Sequence, residues 1–265
     1  MTQPKEATIR EWVTECNYQL SRIEQLAKEG FHQKHNIPQE SVFHGRSEYY
    51  TELAICYALL GERAQSTEAL TQAIMNGVMP YRMAYDNQCE LHHLSVGPEK
   101  SGCVNLALTH SLLLKIASLD DDALTRESLP FIQLMEKDMN DSKSMEMVNT
   151  VQALRNILTH GDDSLSKSLL QSALDNSLTH PIKGGWRART YTLNLCLFTI
   201  VTRDQQSFEK ALQMNLKDYE KGAKGEIRGT PEAYISLPAV GLVKLAKRYG
   251  LSYEGKHPLI PASLL

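Results

Sequence analysis

The chain has 265 residues, 42% hydrophobic and 22% charged, with a formal net charge of −3. That profile belongs to a globular chain with a real core and excludes an intrinsically disordered one. The net charge is too small to imply a partner by itself, but it hides a polarity: residues 1–112 hold 9 basic and 13 acidic side chains, residues 113–180 hold 6 and 11, and residues 181–265 hold 13 and 7.

The opening stretch, MTQPKEATIREW, has no apolar run behind basic residues, and no later segment approaches the roughly 18 apolar residues of a membrane span. A cytoplasmic protein without a membrane partner is expected. In residues 7–29, Ile9, Trp12, Val13, Cys16, Leu20, Ile23 and Ala27 recur at intervals of three and four before Gly30, which predicts an amphipathic helix. A loop containing Pro38 and Gly45 should follow, holding His32, His35 and His44 in solvent beside Lys34 and Arg46. Ser47 is the expected N-cap of a helix burying Tyr50, Leu53, Ala54 and Tyr57 and ending at Gly61, and a second helix then runs to Gly77.

This helical hairpin fits a tetratricopeptide template in part, through Leu53, Ala54, Tyr57, Gly61, Leu70 and Ala73, with Pro80 slightly late. A related hairpin recurs in TVQALRNILTHGDDSLSKSLLQSALDNS, where Gly161 matches Gly61, and again in LNLCLFTIVTRDQQSFEKALQMNL, where Thr202-Arg203-Asp204 forms the turn without a glycine. The copies are neither adjacent nor evenly spaced, whereas a solenoid needs neighbouring repeats to bury a continuous core. Further helices are expected at residues 103–118, about 122–139 and 231–249. Alternating β-branched runs are essentially missing. The expected fold is therefore all-α: a single domain over residues 1–265, with halves near 1–118 and 119–265, built as an irregular stack of antiparallel helical hairpins, tetratricopeptide-like in part, with an extended C-terminal tail.

Cys89-Glu90-Leu91-His92-His93 concentrates metal-ligand chemistry, yet only Cys89 and His93 could share an ion if the segment were helical, and a zinc site needs a second cluster. No cofactor or metal is expected. His110 lies in an apolar helical run and reads as a core or boundary histidine. The five cysteines are odd in number, far apart and mostly at apolar helical positions, which fits reduced, buried thiols. KGGWRAR (183–189) reads as a connecting loop and helix start rather than a phosphate cradle. No nucleophile elbow, P-loop or dinucleotide fingerprint is present, and no enzyme activity is expected.

Acidic residues come closest to a functional signal. Asp120, Asp121 and Asp122 lie between two helices, Asp162 and Asp163 open another, and Asp138 and Asp141 stand beside them in the acidic middle segment. Carboxylates at helix N-termini ordinarily satisfy free N–H groups and oppose the helix dipole. The same seven residues are the candidate contact surface for a basic partner.

The last third, FEKALQMNLKDYEKGAKGEIRGTPEAYISLPAVGLVKLAKRYGLSYEGKHPLIPASLL, resembles the end of the immunity protein 49 family, antitoxins encoded beside toxins of bacterial polymorphic toxin systems. The resemblance rests on Ala211-Leu212, Leu237-Pro238, Leu242, Leu245-Ala246, Tyr249-Gly250, Leu259-Ile260-Pro261 and Leu264-Leu265. It implies a protein that binds and neutralises a cognate toxin without catalysis. A cytoplasmic antitoxin would meet a toxin acting there, such as a nuclease, deaminase or nucleotide-degrading enzyme. The alternative is a tetratricopeptide-like scaffold binding a peptide partner. No nucleic-acid partner is expected, and the oligomeric state is left open.

Overall fold

A computed structural model describes residues 3–141, 144–179 and 185–265. Among these the chain is all-α, with thirteen α-helices, no strand, and one isolated bridge between His257 and Ile260. No helix among them is long and apolar enough to cross a membrane. The chain divides into two compact units, Met1–Leu112 with Glu127–Met135, and Leu113–Arg126 with Glu136–Leu265.

The first unit contains α1 (Glu6–Lys28), α2 (Phe31–Lys34), α3 (Glu40–Leu59), α4 (Arg63–Tyr85) and α5 (Pro98–Ser101). Helix α1 lays Ile9, Cys16 and Leu20 on one buried stripe and packs on α3, which pairs with α4. Helix α3 begins seven residues before the expected N-cap. Ser47 is interior, 2% exposed, and its hydroxyl donates to the Ala73 carbonyl at 2.8 Å. His44 therefore stands on a helix rather than in a loop. The reason is remote in sequence: Glu40, fully buried in the first turn of α3, accepts from Ser95 Oγ at 2.7 Å and from the Val96 N–H at 3.1 Å.

Helix α4 likewise continues through Gly77 and Pro80 instead of stopping. A Cβ on Gly77 would fall 2.8 Å from Leu112 Cδ1, so this glycine serves a close helix approach. Proline in a helix interior costs about 3 kcal/mol. Beyond it, Tyr81 and Met83 are 1% and 0% exposed, and burying two such side chains returns roughly the same amount. Tyr81 Oη also lies 2.8 Å from Thr109 Oγ1.

Helix α6 (Leu106–Leu119) matches the expected helix closely, but the one expected near 122–139 is broken into α7 (Asp122–Ser128) and α8 (Glu136–Asn140). Pro130 disfavours helical geometry in the residue before it. The non-helical segment still buries Leu129, Ile132 and Met135.

The second unit is dominated by α9 (Met145–Leu158), α10 (Asp163–Leu178), α11 (Gly185–Val201), α12 (Gln205–Ala223) and α13 (Leu237–Arg248), with a 3-10 turn at Pro231–Ala233 before α13. Helices α9 and α10 form one hairpin and α11 and α12 another. Each turn needs one residue in the left-handed region. Gly61 supplies it between α3 and α4 at φ +77°, while His160 and Arg203 supply it in the two later hairpins at φ +52° and +56°. The left-handed position in the second hairpin thus falls one residue before Gly161.

Polar pairs pin these helices: Asn149 Nδ2 donates to Ser172 Oγ at 3.0 Å, and Asn215 Nδ2 to Thr192 Oγ1 at 3.2 Å. Thr150 Oγ1 lies 2.8 Å from both the Glu146 carbonyl and Asn194 Oδ1, although one hydroxyl has a single proton to give. Turning the buried Asn194 amide over lets its NH2 donate to Thr150, which donates to Glu146, and gives the otherwise unpartnered Nδ2 a bond.

Ser236 caps α13 by accepting from the Ala239 N–H at 3.3 Å, and its own N–H donates to the Leu259 carbonyl at 2.9 Å. The tail beyond α13 lays down Leu259, Ile260 and Leu264, all buried.

His110, in the first unit, keeps part of its surface accessible, but its Nε2 is sealed from solvent without a hydrogen-bond partner. Burial lowers its pKa from 6.5 to about 4. Between those values the unfolded chain binds a proton that the folded chain refuses, so stability is retained above pH 6.5 and falls as pH drops towards 4. Urea denaturation at pH 7 and pH 5 should show a loss of roughly 2 kcal/mol from this residue. The difference should vanish in His110→Gln, and an unchanged pH slope in that variant would remove the assignment.

Candidate functional site

The expected acidic residues are held by local rules first. Asp120 closes α6 in the left-handed region at φ +64°. Asp121 caps α7, its Oδ1 accepting from the Ala123 and Leu124 N–H groups at 2.8 and 2.9 Å. Asp122 occupies the first turn of α7. Asp162 caps α10 by accepting from the Ser164 N–H at 2.8 Å, and Asp163 is the first residue of that helix. Capping carboxylates belong at these positions because the first N–H groups of a helix lack internal partners.

Tertiary packing then gathers them. Arg248, at the end of α13, donates through Nε to Asp120 Oδ1 and through Nη2 to Asp122 Oδ1 at 2.7 Å, and its Nη1 lies 3.5 Å from His160 Nε2. On the other side, Asp163 Oδ2 accepts from Arg203 Nη2 at 2.8 Å, and Asp163 Oδ1 accepts from the Tyr249 hydroxyl at 3.0 Å. The Arg203 guanidinium carbon lies 5.4 Å from the centre of the Tyr249 ring. Within the second unit, His160, Gly161, Asp163, Arg203, Arg248 and Tyr249 line a pocket of about 370 Å³.

Burial pushes the Tyr249 hydroxyl up to about 12, reinforced by its hydrogen bond to Asp163 and that residue's charge, against the opposing Arg203. The phenol stays protonated near neutrality and acts as a donor. Asp120, Asp122 and Asp163 thus pair with two guanidinium groups, and the helix caps Asp121 and Asp162 adjoin them in sequence, so this rim holds five carboxylates to two guanidinium groups. Asp138 and Asp141 are not drawn in by any contact described: Asp138 Oδ2 is buried without a hydrogen-bond partner, and Asp141 accepts from Ser144 Oγ at 2.9 Å.

The Cys89–His93 segment takes another course. It is turn followed by a 3-10 turn at His92–Leu94, so Cys89 and His93 do not share an α-helical face. His92 Nδ1 donates to the Met83 carbonyl and His93 Nδ1 to the Glu90 carbonyl, each at 2.8 Å. Among the described residues, no three His, Cys, Asp or Glu side chains are grouped to hold a metal ion. The five cysteines are free and buried, and burial raises the thiol pKa of Cys16, Cys56, Cys103 and Cys196, that of Cys56 to about 12. Such thiols ionise poorly and are weak nucleophiles. In KGGWRAR, residues 183–184 lie outside the described residues, and Arg189 Nη2 donates to Glu226 at 2.9 Å.

The pocket's cations and aromatic ring were not singled out from sequence. In the sequence Arg203 stands out only as part of a turn, and Tyr249 only as part of the C-terminal family resemblance. The family model described as immunity protein 49 matches residues 65–264. The chain belongs to the immunity protein 49 family. This match reaches well upstream of the C-terminal resemblance, from α4 to the tail, and takes in the whole pocket; α1, α2 and α3 precede it. Membership also favours a non-enzymatic role and implies a toxin as partner. No curated protein and no solved structure matches the chain.

Proposed function

We propose that this member of the immunity protein 49 family binds and neutralises a cognate toxin by non-catalytic protein–protein contact, in the cytoplasm, and that the acidic rim of the second unit makes part of that contact. The observation that carries the reading is the family match across the rim, residues 65–264. The rim fits the role because its carboxylates stand on three element ends tied together by Arg248, Arg203 and Tyr249, so negative charge is held in a fixed arrangement at the surface. A preorganised charged patch raises association rates and fixes register. A toxin with a basic active-site surface, as in a nuclease or nucleotide-degrading enzyme, is its natural complement. Asp138 and Asp141 are kept as outlying contacts only.

Growth rescue on coexpression with the toxin encoded beside this chain tests the function, and failure to rescue would reject it. The double substitution Asp121→Asn and Asp162→Asn tests the surface. Asparagine caps helices about as well as aspartate, so melting should change little. Association with the toxin at low salt should slow about fivefold, and the salt dependence should weaken. Unchanged association kinetics would move the contact away from the rim.

A further inference from the structure

Backbone strain and open space meet at one corner of the second unit. Among the described residues only four other than glycine take a positive φ: Asn36, Asp120, His160 and Arg203. Three of these, Asp120, His160 and Arg203, either line the pocket or bond to the Arg248 that lines it. Glycine takes the left-handed region without steric cost, as Gly61 does in the turn between α3 and α4. Side chains kept at such positions cost strain, so what they touch bears on function.

Asp120 and His160 are accounted for by Arg248, whose guanidinium they flank and whose side chain is only 16% exposed. Arg203 is different. Its side chain is 59% exposed, and among the described residues Asp163 is its one ion-pair partner. An ion pair that open to water holds weakly. The seat it occupies is nonetheless well defined: its guanidinium lies 2.8 Å from Asp163 Oδ2 and 5.4 Å from the Tyr249 ring centre, at the edge of the 370 Å³ pocket. Tyr249 donates to Asp163 Oδ1, which fixes the carboxylate beside the ring. A carboxylate and an aromatic face set together in this way recognise a cationic side chain.

We propose that Arg203 is a placeholder: in the free chain it fills the seat that one basic side chain of the cognate toxin takes in the complex, and it swings out as that side chain enters the pocket. The inference rests on the functional reading above and names the chemistry that the pocket accepts. The seat's own occupant, a guanidinium, is the evidence for that chemistry. An anion fits worse, because Arg248 already holds Asp120 and Asp122, and an anion between the two arginines would lie against Asp163 with Arg203 alone to answer it. Exchanging one cation for another leaves the charge of the seat unchanged and its carboxylate paired.

The test uses the full chain and two variants, Arg203→Asn and Arg203→Gly, which remove the cation with residues that tolerate the left-handed region. Circular dichroism and melting check the fold. Ethylguanidinium is titrated first, followed through the backbone amide NMR signals of Gly161 and Tyr249, with inorganic phosphate as the anionic comparison. Both variants should bind ethylguanidinium about tenfold more tightly than wild type, because the seat is no longer filled, and adding Asp163→Asn should abolish the gain. No gain in either folded variant overturns the proposal, as does phosphate binding that wild type shows and the variants lose. The toxin encoded beside the chain is titrated next. Both variants should bind it about threefold more tightly, since no placeholder has to leave. Weaker binding makes Arg203 a direct contact or a structural tie, and overturns the proposal while the immunity function stands. A toxin that wild type does not bind overturns the functional reading and, with it, the toxin as occupant, a result on which the ethylguanidinium titration does not depend.

Discussion

A chain that begins at residue 65, where the family match begins, should lose cooperative folding of its first unit. The cut falls inside the hairpin of α3 and α4 and removes the helix against which Ala69, Leu70, Ala73 and Ile74 are buried. It also removes Leu53, Ala54, Ile55, Cys56 and Ala58 of α3, none more than 5% exposed, and the Glu40 carboxylate that anchors Ser95 and Val96. Each large apolar side chain returned to water forfeits about 1.5–3 kcal/mol, so the sum rivals the roughly 5–15 kcal/mol that holds a whole domain. Far-UV circular dichroism and urea titration of residues 65–265 should show reduced helix content and no unfolding transition for this unit. A fragment that melts like the full chain would mean that α4 has other cover. The matched region therefore does not coincide with a folding unit in this protein, and α1 to α3 belong to its core rather than to a detachable extension.

Deleting residues 256–265 should cost about 5 kcal/mol and lower the melting temperature by on the order of 10 °C. The deletion uncovers the core under Leu259, Ile260 and Leu264 and takes from the Ser236 N–H the carbonyl it donates to, just where Ser236 caps α13. Leu259→Ala with Ile260→Ala separates packing from that backbone bond and should reproduce most of the loss, since truncating a buried Leu or Ile to Ala costs about 2–5 kcal/mol. Unchanged melting of the deletion would refute the capping role of the tail. A further consequence concerns binding: Tyr249 and Arg248 stand at the end of α13, so a destabilised α13 should also loosen the rim they hold together.

The helices legible in the sequence were those whose boundaries are set locally. Helix α1 shows its stripe directly, and α6 follows its apolar run. The turn at Arg203 was legible from the flanking helical patterns even without a glycine. Boundaries set by remote partners were not legible. The start of α3 depends on Glu40 meeting Ser95 and Val96, 55 and 56 residues away, and its register depends on the Ser47 hydroxyl reaching Ala73. The passage of α4 through Gly77 and Pro80 depends on the burial of Tyr81 and Met83. Local propensity argues for a stop at both positions, and only packing outweighs it.

For the candidate site the division is similar. Helix-start chemistry marks Asp121 and Asp162 as caps because a carboxylate followed by a helical pattern needs no distant partner to act on free N–H groups. Nothing within a few residues says that Arg248 will reach Asp120, 128 positions away, or that Tyr249 will reach Asp163, 86 positions away. By itself the sequence determined the all-α class, most of the helices and the turns between them, because apolar periodicity and turn chemistry act over a few residues. Only the tertiary structure decided where α3 begins, that α4 does not stop, and which charges share a rim, because those outcomes depend on contacts between segments that local sequence cannot bring together.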